Sequence, residues 1–434
     1  MRYQFRDFFH LVRTPAGRAQ LWSAWNFLSF PLVAPLACLH RRFIAKHARI
    51  IAVVGSLGKT TTTRAVEAVL SLPQRSRDNK NAWTDVALKI LRLRPATPCA
   101  VIEVGIAKPG QMNRYAAMLR PQVTVVTSIA SDHNRSLANL QVTRSEKAGM
   151  VRVLASDGVA VLNGDDPNVL WMKGETTARI VTYGFDAAND VRAEDFTLDW
   201  PQGARFTLRI GTRSWTVRSR LMGRHQIYPL LAAMAVAQVE GVDLNEAIAR
   251  LEALAPVHGR MEPLLLESGA WVLGDDFKAP QESMFAALDA LGQIPARRRI
   301  VVFGDVMEPV GSQHALYREM GERVGRIAAR AIFLGRGKMR VMAKGAVSAG
   351  LAPEFVTCSS EINVLQVAEL LRAELSEGDV VLIKGRGNQR LRRVILMLQG
   401  RPVRCVIECC HVNDMGCDQC GMLERGWEGL RVVT

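Results

Sequence analysis

A chain of 434 residues is too long for one ordinary hydrophobic core, so its length predicts two or three domains. Its composition, with 48% hydrophobic and 22% charged residues, is that of a folded protein, so a disordered chain is not expected. The net charge of +15 indicates an anionic partner, and nucleotide, acidic substrate, anionic lipid and nucleic acid all satisfy it. Aromatic residues are only 6% of the chain and form no stripe interleaved with Arg or Lys, so nucleic-acid binding is not expected.

Residues 1–48 form a basic and apolar N-terminal segment. Basic side chains flank the apolar run LWSAWNFLSFPLVAPLACL. The run is about long enough to cross a bilayer, but polar residues interrupt it, and Pro31 and Pro35 are expected to break a helix there. Its tryptophans and flanking arginines suit the lipid headgroup boundary, so we expect peripheral contact with the inner face of a membrane. The alternative is an amphipathic helix packed on the chain's own nucleotide domain.

Residues 49–256 alternate short apolar runs with helical stretches, beginning IIAVVG, TTRAVEAVLSL and CAVIEVG. This alternation predicts an α/β domain with a mostly parallel sheet covered by helices. Within it, residues 205–221 indicate a hairpin with Gly211 at the turn, and a helix follows from about Tyr228 to Glu240. A second α/β series, including WVLGDDF, RIVVFGD and DVVLIKG, predicts a Rossmann-like domain over residues 257–402, followed by a tail at 403–434.

The segment VVGSLGKTTTTR runs from a predicted strand through a glycine turn into a helix. Gly55 and Gly58 let the backbone approach phosphate oxygens, while Lys59 adds a cation and Thr60 can ligate Mg²⁺. A chance glycine turn would not also place Lys-Thr at the start of the helix. The motif therefore predicts ATP and Mg²⁺ as cofactors, which places the protein on the cytoplasmic side. The other candidate nucleotide-binding residues of the loop are Ser56 and Thr61.

The G-x-x-G-K-T spacing is two residues shorter than that of the common phosphate loop. In this spacing, and in the order of later motifs over about residues 49–400, the chain resembles the Mur ligase family, and within it the ligases that add a D-alanyl-D-alanine dipeptide. The resemblance implies a central P-loop ATP-binding domain plus a C-terminal Rossmann-like α/β domain. It also implies an ATP-dependent ligase that activates an acid as its acyl phosphate and joins it to an amine.

Three further motifs carry the resemblance in the central domain. VIEVGIAKPGQM resembles the family's Mg²⁺-binding stretch, with Glu103 as the ligand, and VTVVTSIASDHNRS places His133 where the family binds a second Mg²⁺. RSEKAGMV places Lys147 where the family has a lysine that reacts with CO₂ to form a carbamate. Carbamylation needs the neutral amine, which burial near other cations favours. By itself, His133 reads as a loop residue and Lys147 as a solvated helix lysine; the order of motifs favours the functional roles.

The remaining nucleotide contacts also come from the resemblance. His225, in LMGRHQIYPLLAAM, is expected near the adenine, although Gln226 and Pro229 depart from the family pattern there. PVHGRME implies that Arg260 contacts the γ-phosphate. The segment VLNGDDPN is expected to form an Asx turn. The resemblance implies ribose and phosphate contacts for Asp275, Asp276 and Ser283 in WVLGDDFKAPQESM. Lys278 departs from the family pattern and is a candidate for a phosphate or substrate-carboxylate contact. Lys384, Gly385 and Arg386 are expected to face the cleft from the last strand.

The substrates are expected to be a small-molecule acid and amine, drawn from amino acids, peptides or cell-envelope precursors. Only about fifty residues precede the phosphate loop, which leaves no room for the UDP-sugar domain of the muropeptide ligases, so a UDP-muramyl peptide is not expected as the ordinary substrate. A noncatalytic ATP-binding scaffold is the alternative, and Glu103, His133 and Lys147 together favour the enzyme. A P-loop kinase or ATPase fits the phosphate loop alone.

Five of the eight cysteines lie in the tail. Cys417 and Cys420 form a C-x-x-C pair, and the neighbouring thiols and histidine make a zinc site a candidate, with Cys409 or Cys410 and His411 completing a tetrahedron. A reduced, redox-active or unstructured tail and an iron–sulfur cluster remain as alternatives. The Mur resemblance does not extend to this tail.

Overall fold

The computed structural model describes residues 12–73, 80–131, 137, 139–335, 337–358, 362–410, 412 and 415–426. Their contacts divide them into two compact units. The first is Trp25–Ala255, and the second combines the described residues of Met1–Ala24 and Pro256–Thr434. Each unit is built on its own sheet.

The sheet of the first unit is parallel over most of its width. Its strands are β1 (Arg49–Val54), β2 (Cys99–Glu103), β3 (Val123–Val126), β4 (Val159–Asn163), β5 (Arg179–Gly184), β6 (Val191–Asp199), β7 (Gly203–Ile210) and β8 (Arg213–Ser219). They lie in the order β2-β1-β3-β4-β5-β6-β7-β8, and only the β6-β7-β8 pairs are antiparallel. A parallel sheet is covered on both faces, which is why its strands read as continuous apolar runs.

Helices cover both faces of this sheet. They are α1 (Pro15–Phe43), most of which lies in the first unit, α2 (Lys59–Val69), α3 (Thr84–Leu91), α4 (Gln111–Leu119), α5 (Leu140–Arg152), α6 (Pro167–Leu170), α7 (Ile227–Val239) and α8 (Leu244–Glu252). Alternate residues of β1 enter different cores: Ile51 and Val53 pack with Val66 of α2, while Ile50 and Ala52 pack on the other face. The predicted hairpin is confirmed, with Gly211 at φ 59°, and α7 confirms the helix predicted after it.

The expectation that Pro31 and Pro35 break the N-terminal helix is wrong, because α1 is continuous through both. Both prolines lie on its exposed side, where water can hydrate the carbonyl groups that lack an N–H partner. The opposite side packs on the first unit's own core. There Asn26 Nδ2 donates to Asp85 over 3.0 Å, and Ser29 Oγ lies 3.1 Å from Thr84 Oγ1. The polar residues of the apolar run therefore hold the helix to the protein.

The second unit has a six-stranded sheet. Its strands are β9 (Glu262–Leu265), β10 (Trp271–Asp275), β11 (Arg298–Phe303), β12 (Arg330–Phe333), β13 (Val356–Cys358) and β14 (Asp379–Lys384). The order is β13-β12-β11-β14-β10-β9, with β9 antiparallel and the others parallel. The helices are α9 (Gln281–Gln293), α10 (Gln313–Ile327), α11 (Met339–Ser348), α12 (Val364–Glu374), α13 (Arg392–Leu398) and α14 (Met422–Arg425).

A buried arginine fixes the C-terminal end of α1. The Arg41 guanidinium donates to the carbonyl of Leu119 over 2.9 Å, to that of Arg120 over 3.3 Å, and to that of Ala45. These acceptors lie at the end of α4 and just after α1, so one side chain ties two helices together. A buried carbonyl that loses its donor costs free energy, because no water replaces the lost bond.

We expect Arg41→Met to lower the free energy of unfolding by about 2–4 kcal/mol, since it leaves several buried carbonyls without a donor. Urea denaturation followed by tryptophan fluorescence measures this change. Arg42→Met is the matched control, because Arg42 is exposed, and it should change stability by less than about 0.5 kcal/mol. Equal urea midpoints for the two variants would contradict the anchoring role of Arg41.

Candidate active site around the phosphate loop

The phosphate loop lies at the carboxyl end of β1, between β2 and β3. The strand order β2-β1-β3-β4-β5 changes direction between β1 and β3, which is the switch point where open α/β sheets bind ligands. Residues after Val54 turn sharply, and α2 begins at Lys59 with Gly58 as its N-cap at φ 80°. The unpaired N–H groups of this helix start favour a bound anion.

The loop is held in shape by the residues that follow β3. Gly55 has φ 141°, and a Cβ atom there would lie 2.0 Å from Thr127 Oγ1, so only glycine fits. Thr127 Oγ1 donates to the carbonyl of Leu57 over 2.6 Å. The N–H of Ser56 donates to the carbonyl of Ser128 over 2.7 Å, and the N–H of Leu57 to Ser128 Oγ over 3.0 Å. The backbone path of the loop is thus set from outside it.

The loop lysine folds back over the loop. Lys59 is buried, and its Nζ donates to the carbonyls of Gly55 and Ser56, each over 2.9 Å. Thr60 is half-buried in the first turn of α2, and Thr61 is buried behind it. The ammonium group and the hydroxyl of Thr60 therefore belong to the same turn, as binding of a phosphate with its counter-cation requires.

Lys147 lies against the phosphate loop, although 91 residues separate it from Ser56. Its side chain is only 2% exposed, which rules out the solvated helix lysine, and its Nζ donates to Ser56 Oγ over 2.8 Å. Ser56 Oγ also accepts from the N–H of Ala130 over 2.9 Å and donates to the carbonyl of Ala130 over 3.1 Å. Helix α5, the loop after β3 and the phosphate loop thus meet at one hydroxyl.

Glu103 ends β2 next to the loop strand, in register with Val53. Its carboxylate is 3% exposed and accepts from Asn81 Nδ2 at Oε1 over 2.6 Å. Sequence reasoning missed Asn81, because a loop asparagine far upstream of Glu103 carries no local signal. His133, the other proposed metal ligand, lies outside the described residues.

The predicted turn after β4 is confirmed, and it is linked to α7. Asp166 caps α6 by accepting from the N–H of Asn168 over 2.9 Å. Asp165 accepts from Tyr228 Oη over 2.9 Å, and burial raises the pKa of the Tyr228 phenol, which keeps it a donor. His225 is half-buried in the turn Arg224–Gln226, which leads directly into α7.

Sequence reasoning also missed two residues beside this turn. The Arg224 guanidinium lies 3.7 Å from the centre of the Phe185 ring, a cation–π contact. Phe185 in turn packs edge-on against Tyr228, with ring centres 5.2 Å apart. A flat apolar surface therefore adjoins the guanidinium of Arg224, the residue before His225 in the chain.

In the second unit the predicted residues follow β10 and β14. Asp275 and Lys384 end these strands in register, and Lys384 Nζ donates to Asp275 over 2.6 Å and to the carbonyl of Lys278 over 3.0 Å. Burial lowers the pKa of Lys384, and the Asp275 carboxylate opposes that shift. The Arg260 guanidinium stacks 4.6 Å from the centre of the Phe277 ring.

A second set of charges surrounds Asp276. Burial raises the pKa of this carboxyl, whose Oδ1 lies 3.7 Å from Arg392 Nη1. Arg392 donates to Glu262 over 2.9 Å and lies 2.8 Å from His258 Nδ1. Burial would raise the pKa of Glu262, but His258, Arg392 and the N–H of Gly259 outweigh it and lower that pKa to about 2.

The cysteine tail differs from the zinc site expected from sequence. Cys409 is exposed, accepts from Asn388 Nδ2 over 3.1 Å and does not line the cavity bordered by the other tail cysteines, while His411 lies outside the described residues. Within the described ranges, no three His, Cys, Asp or Glu residues stand positioned to hold a metal ion. Burial raises the pKa of the Cys417 thiol to about 12.

These features define a class of protein, the P-loop nucleotide-binding enzymes with a second α/β domain. Residues 53–237 match the Mur ligase middle domain, and residues 259–387 match the Mur ligase glutamate ligase domain. The UDP-N-acetylmuramoyl-tripeptide--D-alanyl-D-alanine ligase of Mycobacterium bovis is 31% identical over 372 residues, which cover 79% of this chain and 71% of that protein. The Escherichia coli ligase of the same name is 30% identical, with 81% and 77% covered. The chain belongs to the Mur ligase family.

Solved structures confirm the predicted fold. MurF from Acinetobacter baumannii has a TM-score of 0.73 at 22% identity, covering 85% of this chain and 80% of that one. MurF from Thermotoga maritima in complex with ADP has a TM-score of 0.72 at 20% identity, covering 86% and 84%. Family membership makes this chain an ATP-dependent ligase that forms amide bonds. Neither the noncatalytic scaffold nor the simple P-loop kinase receives support from these matches.

We expect Gly55→Ala to weaken ATP binding by at least about tenfold, because the new methyl group would overlap Thr127 Oγ1 and displace the loop. Displacement of a fluorescent ATP analogue measures the affinity. Gly174→Ala is the matched control: no atom lies within 4 Å of its added Cβ, so its affinity should equal that of the wild type. Unchanged affinity in Gly55→Ala would show that the loop tolerates another path.

Proposed function

We propose that this ligase uses ATP and Mg²⁺ to convert a carboxylate into an acyl phosphate, which an amine then attacks. The contact between Lys147 Nζ and Ser56 Oγ at 2.8 Å carries the proposal, since it brings the expected carbamate-forming lysine to the phosphate loop. A P-loop kinase or ATPase accounts for the phosphate loop alone and not for a buried lysine from a distant helix beside it.

The chemistry explains why ATP is needed. A carboxylate does not acylate an amine at neutral pH, because its oxygen is a poor leaving group. When a carboxylate oxygen attacks the γ-phosphorus, ADP leaves and the carbonyl carbon carries phosphate. The amine nitrogen then attacks that carbon, phosphate departs, and the nitrogen loses a proton. Lys59 and the N-terminus of α2 stabilise the negative charge during phosphoryl transfer.

The residues present fit Mg²⁺, which prefers oxygen ligands. Asn81 occupies one oxygen of the buried Glu103 carboxylate, and the Thr60 hydroxyl stands at the start of α2. We assign Thr60, Glu103 and His133 to Mg²⁺, which supplies charge neutralisation when bound. Lys147, as a carbamate, would add a negative group to the same site.

The other nucleotide contacts remain proposals within each unit. His225, beside the Phe185 and Arg224 stack, is assigned to the adenine in the first unit. In the second unit we assign four residues to the ribose and phosphates: Arg260, Asp275, Asp276 and Lys278. Since Lys384 already neutralises Asp275, we expect Asp275 to contact the nucleotide by hydrogen bonding and not to contribute a net negative charge.

The proposed substrates follow from the names of the relatives, which are ligases of a UDP-N-acetylmuramoyl-tripeptide and D-alanyl-D-alanine. We therefore propose a peptide-bearing cell-envelope precursor as the acid and an amino acid or dipeptide as the amine. The net charge of +15 suits an acidic, phosphate-bearing precursor. Nucleotide-linked and lipid-linked forms of that precursor share this chemistry.

We expect phosphate release from ATP only when both an acid and an amine are present, with a product heavier by one amide-linked unit. A panel of envelope precursors with amino acids and dipeptides, followed by mass spectrometry, tests this. Lys59→Ala should slow release at least about a hundredfold, because it removes a cation from the transferring phosphoryl group.

Lys147 is tested separately through CO₂. Activity at pH 8 should fall when bicarbonate and CO₂ are removed and return when bicarbonate is added, while residual Lys147→Ala activity should not respond. Release of phosphate to water alone, whatever amine is offered, would overturn the ligation step. A wild-type enzyme indifferent to bicarbonate would overturn only the carbamate.

We also propose that α1 rests on an anionic membrane surface at the cytoplasmic face. Within the described chain, Gly17–Phe43 is the one helical stretch long and apolar enough to cross a membrane. Its inner side is bound to the first unit through Asn26, Ser29 and Arg41, which favours lying on a bilayer over crossing it.

The outer side of α1 supplies the membrane contact. Large apolar side chains spaced three or four residues apart stand exposed along it, led by Leu32 at 74% exposure. The others are Trp25, Leu28, Leu36, Leu39 and Phe43. Exposed basic residues flank the stripe, Arg18 before it and Arg42 and Lys46 at its C-terminal end, and residues 12–66 contain no acid. This pairing of apolar face and positive flanks fits anionic lipid.

We expect the wild type to cosediment with vesicles containing phosphatidylglycerol and to bind phosphatidylcholine vesicles at least about tenfold more weakly. Leu28→Glu with Leu32→Glu should reduce the binding at least about tenfold, because each buried leucine contributes about 1.5–3 kcal/mol. Val347→Glu, which changes an exposed valine elsewhere, is the control. Equal binding by the double variant, or no preference for anionic vesicles, would contradict the proposal.

A further inference from the structure

Four cysteines of the tail line one small cavity. Cys405, Cys410, Cys417 and Cys420 surround a space of about 20 Å³, enough for roughly one water-sized particle. Cys405 is buried and the other three are half-buried. Exposed Cys409 takes no part in the lining.

Backbone hydrogen bonds hold the cysteine segments together. The N–H groups of Arg404 and Cys405 both donate to the carbonyl of Leu423, over 2.8 and 3.1 Å. Cys417 and Cys420 belong to one tight turn, where the N–H of Cys420 donates to the carbonyl of Cys417 over 3.2 Å. Structural zinc sites have this arrangement, in which two thiols of a C-x-x-C turn face two thiols from another segment.

The cavity also borders two guanidinium groups, from Arg390 and Arg393. Arg393 is 1% exposed and donates to the carbonyls of Cys405 over 2.7 Å and Ile407 over 2.6 Å, with its Cys405 Sγ contact at 3.5 Å. No carboxylate of the described residues pairs with either arginine, and Arg390 Nε is buried without a hydrogen-bond partner. Carbonyl oxygens satisfy the hydrogen bonds of Arg393 but carry no full negative charge, so an anionic centre would be favourable beside these guanidinium groups.

We propose that Cys405, Cys410, Cys417 and Cys420 bind one zinc ion as four thiolates. Binding releases four protons and gives a centre of net charge −2, which the two guanidinium groups neutralise. The four sulfurs line the cavity without yet converging at metal-ligand distance. Metal binding and the folding of such a site occur together, so the ion itself draws the thiols in. Cys405 thus replaces Cys409 and His411 of the sequence-based set.

The zinc site would anchor the tail beside a segment of the candidate active site. Asp418, inside the C-x-x-C turn, has its Oδ1 3.8 Å from His258 Nε2, and its carbonyl accepts from Arg401 over 3.2 Å. His258 precedes Arg260 by two residues and lies 2.8 Å from Arg392. Ordering of the turn by zinc therefore fixes the neighbourhood of Arg260, without placing the metal in the reaction.

The test is metal analysis of the full chain purified from zinc-supplemented cells, with no need for substrate. We expect about one zinc per chain in the wild type and in Cys409→Ser, and less than about a tenth in Cys405→Ser and Cys417→Ser, because loss of a ligand opens the tetrahedron. Cobalt substitution should give the thiolate charge-transfer and visible bands of a tetrahedral four-sulfur site.

The zinc proposal fails on several distinct results. Metal-free protein with all eight thiols open to titration, iron with acid-labile sulfide, or loss of zinc in Cys409→Ser would each overturn it. If the cysteine variants do not fold, titration of the wild type with a mercurial tests the site instead. We expect four thiols to react for each zinc ion released. Since no readout uses ATP, failure here is distinguishable from failure of the proposed ligation.

Discussion

The hydroxyl of Ser56 joins three separate parts of the first unit, and the geometry of the site depends on it. The N–H groups of Ser56 and Leu57 donate to Ser128 and hold the loop in shape, while the first turn of α2 offers its N–H groups to a phosphate. The clamp is supplied from outside, by Ala130 after β3 and by Lys147 from α5. The shape of the phosphate loop and the position of Lys147 therefore depend on the same hydrogen bonds of Ser56.

Sequence reasoning could predict what local patterns encode. Continuous apolar runs gave the parallel strands, and the glycine turn with Lys59 gave the loop. The position of Lys147 came only through family likeness, since helix spacing does not say which side of α5 is buried. Asn81 and Cys405 were missed because their partners, Glu103 and the other thiols, are distant in sequence or lack a motif. The positions of Lys147, Asn81 and Cys405 all depend on packing between segments that are distant in sequence or share no motif.

The error at α1 has the same origin. Pro31 and Pro35 are unfavourable in a helix interior, but the cost depends on whether the freed carbonyls can reach water. Because both prolines lie on the exposed side, packing of the inner side outweighs the lost bonds. The two interpretations of the segment are then compatible: one side of α1 belongs to the protein core, and the other presents the apolar stripe.

The buried cations of the second unit differ in how their charge is balanced. Three cations are buried in its described part: Lys384, Arg392 and Arg393. Lys384 pairs with Asp275, and Arg392 pairs with Glu262. Arg393 has only carbonyls and a sulfur within hydrogen-bond distance. Buried charges are generally paired, and for Arg393 the proposed zinc thiolates beside it would supply the negative charge. A thiol at neutral pH supplies that charge when a metal displaces its proton.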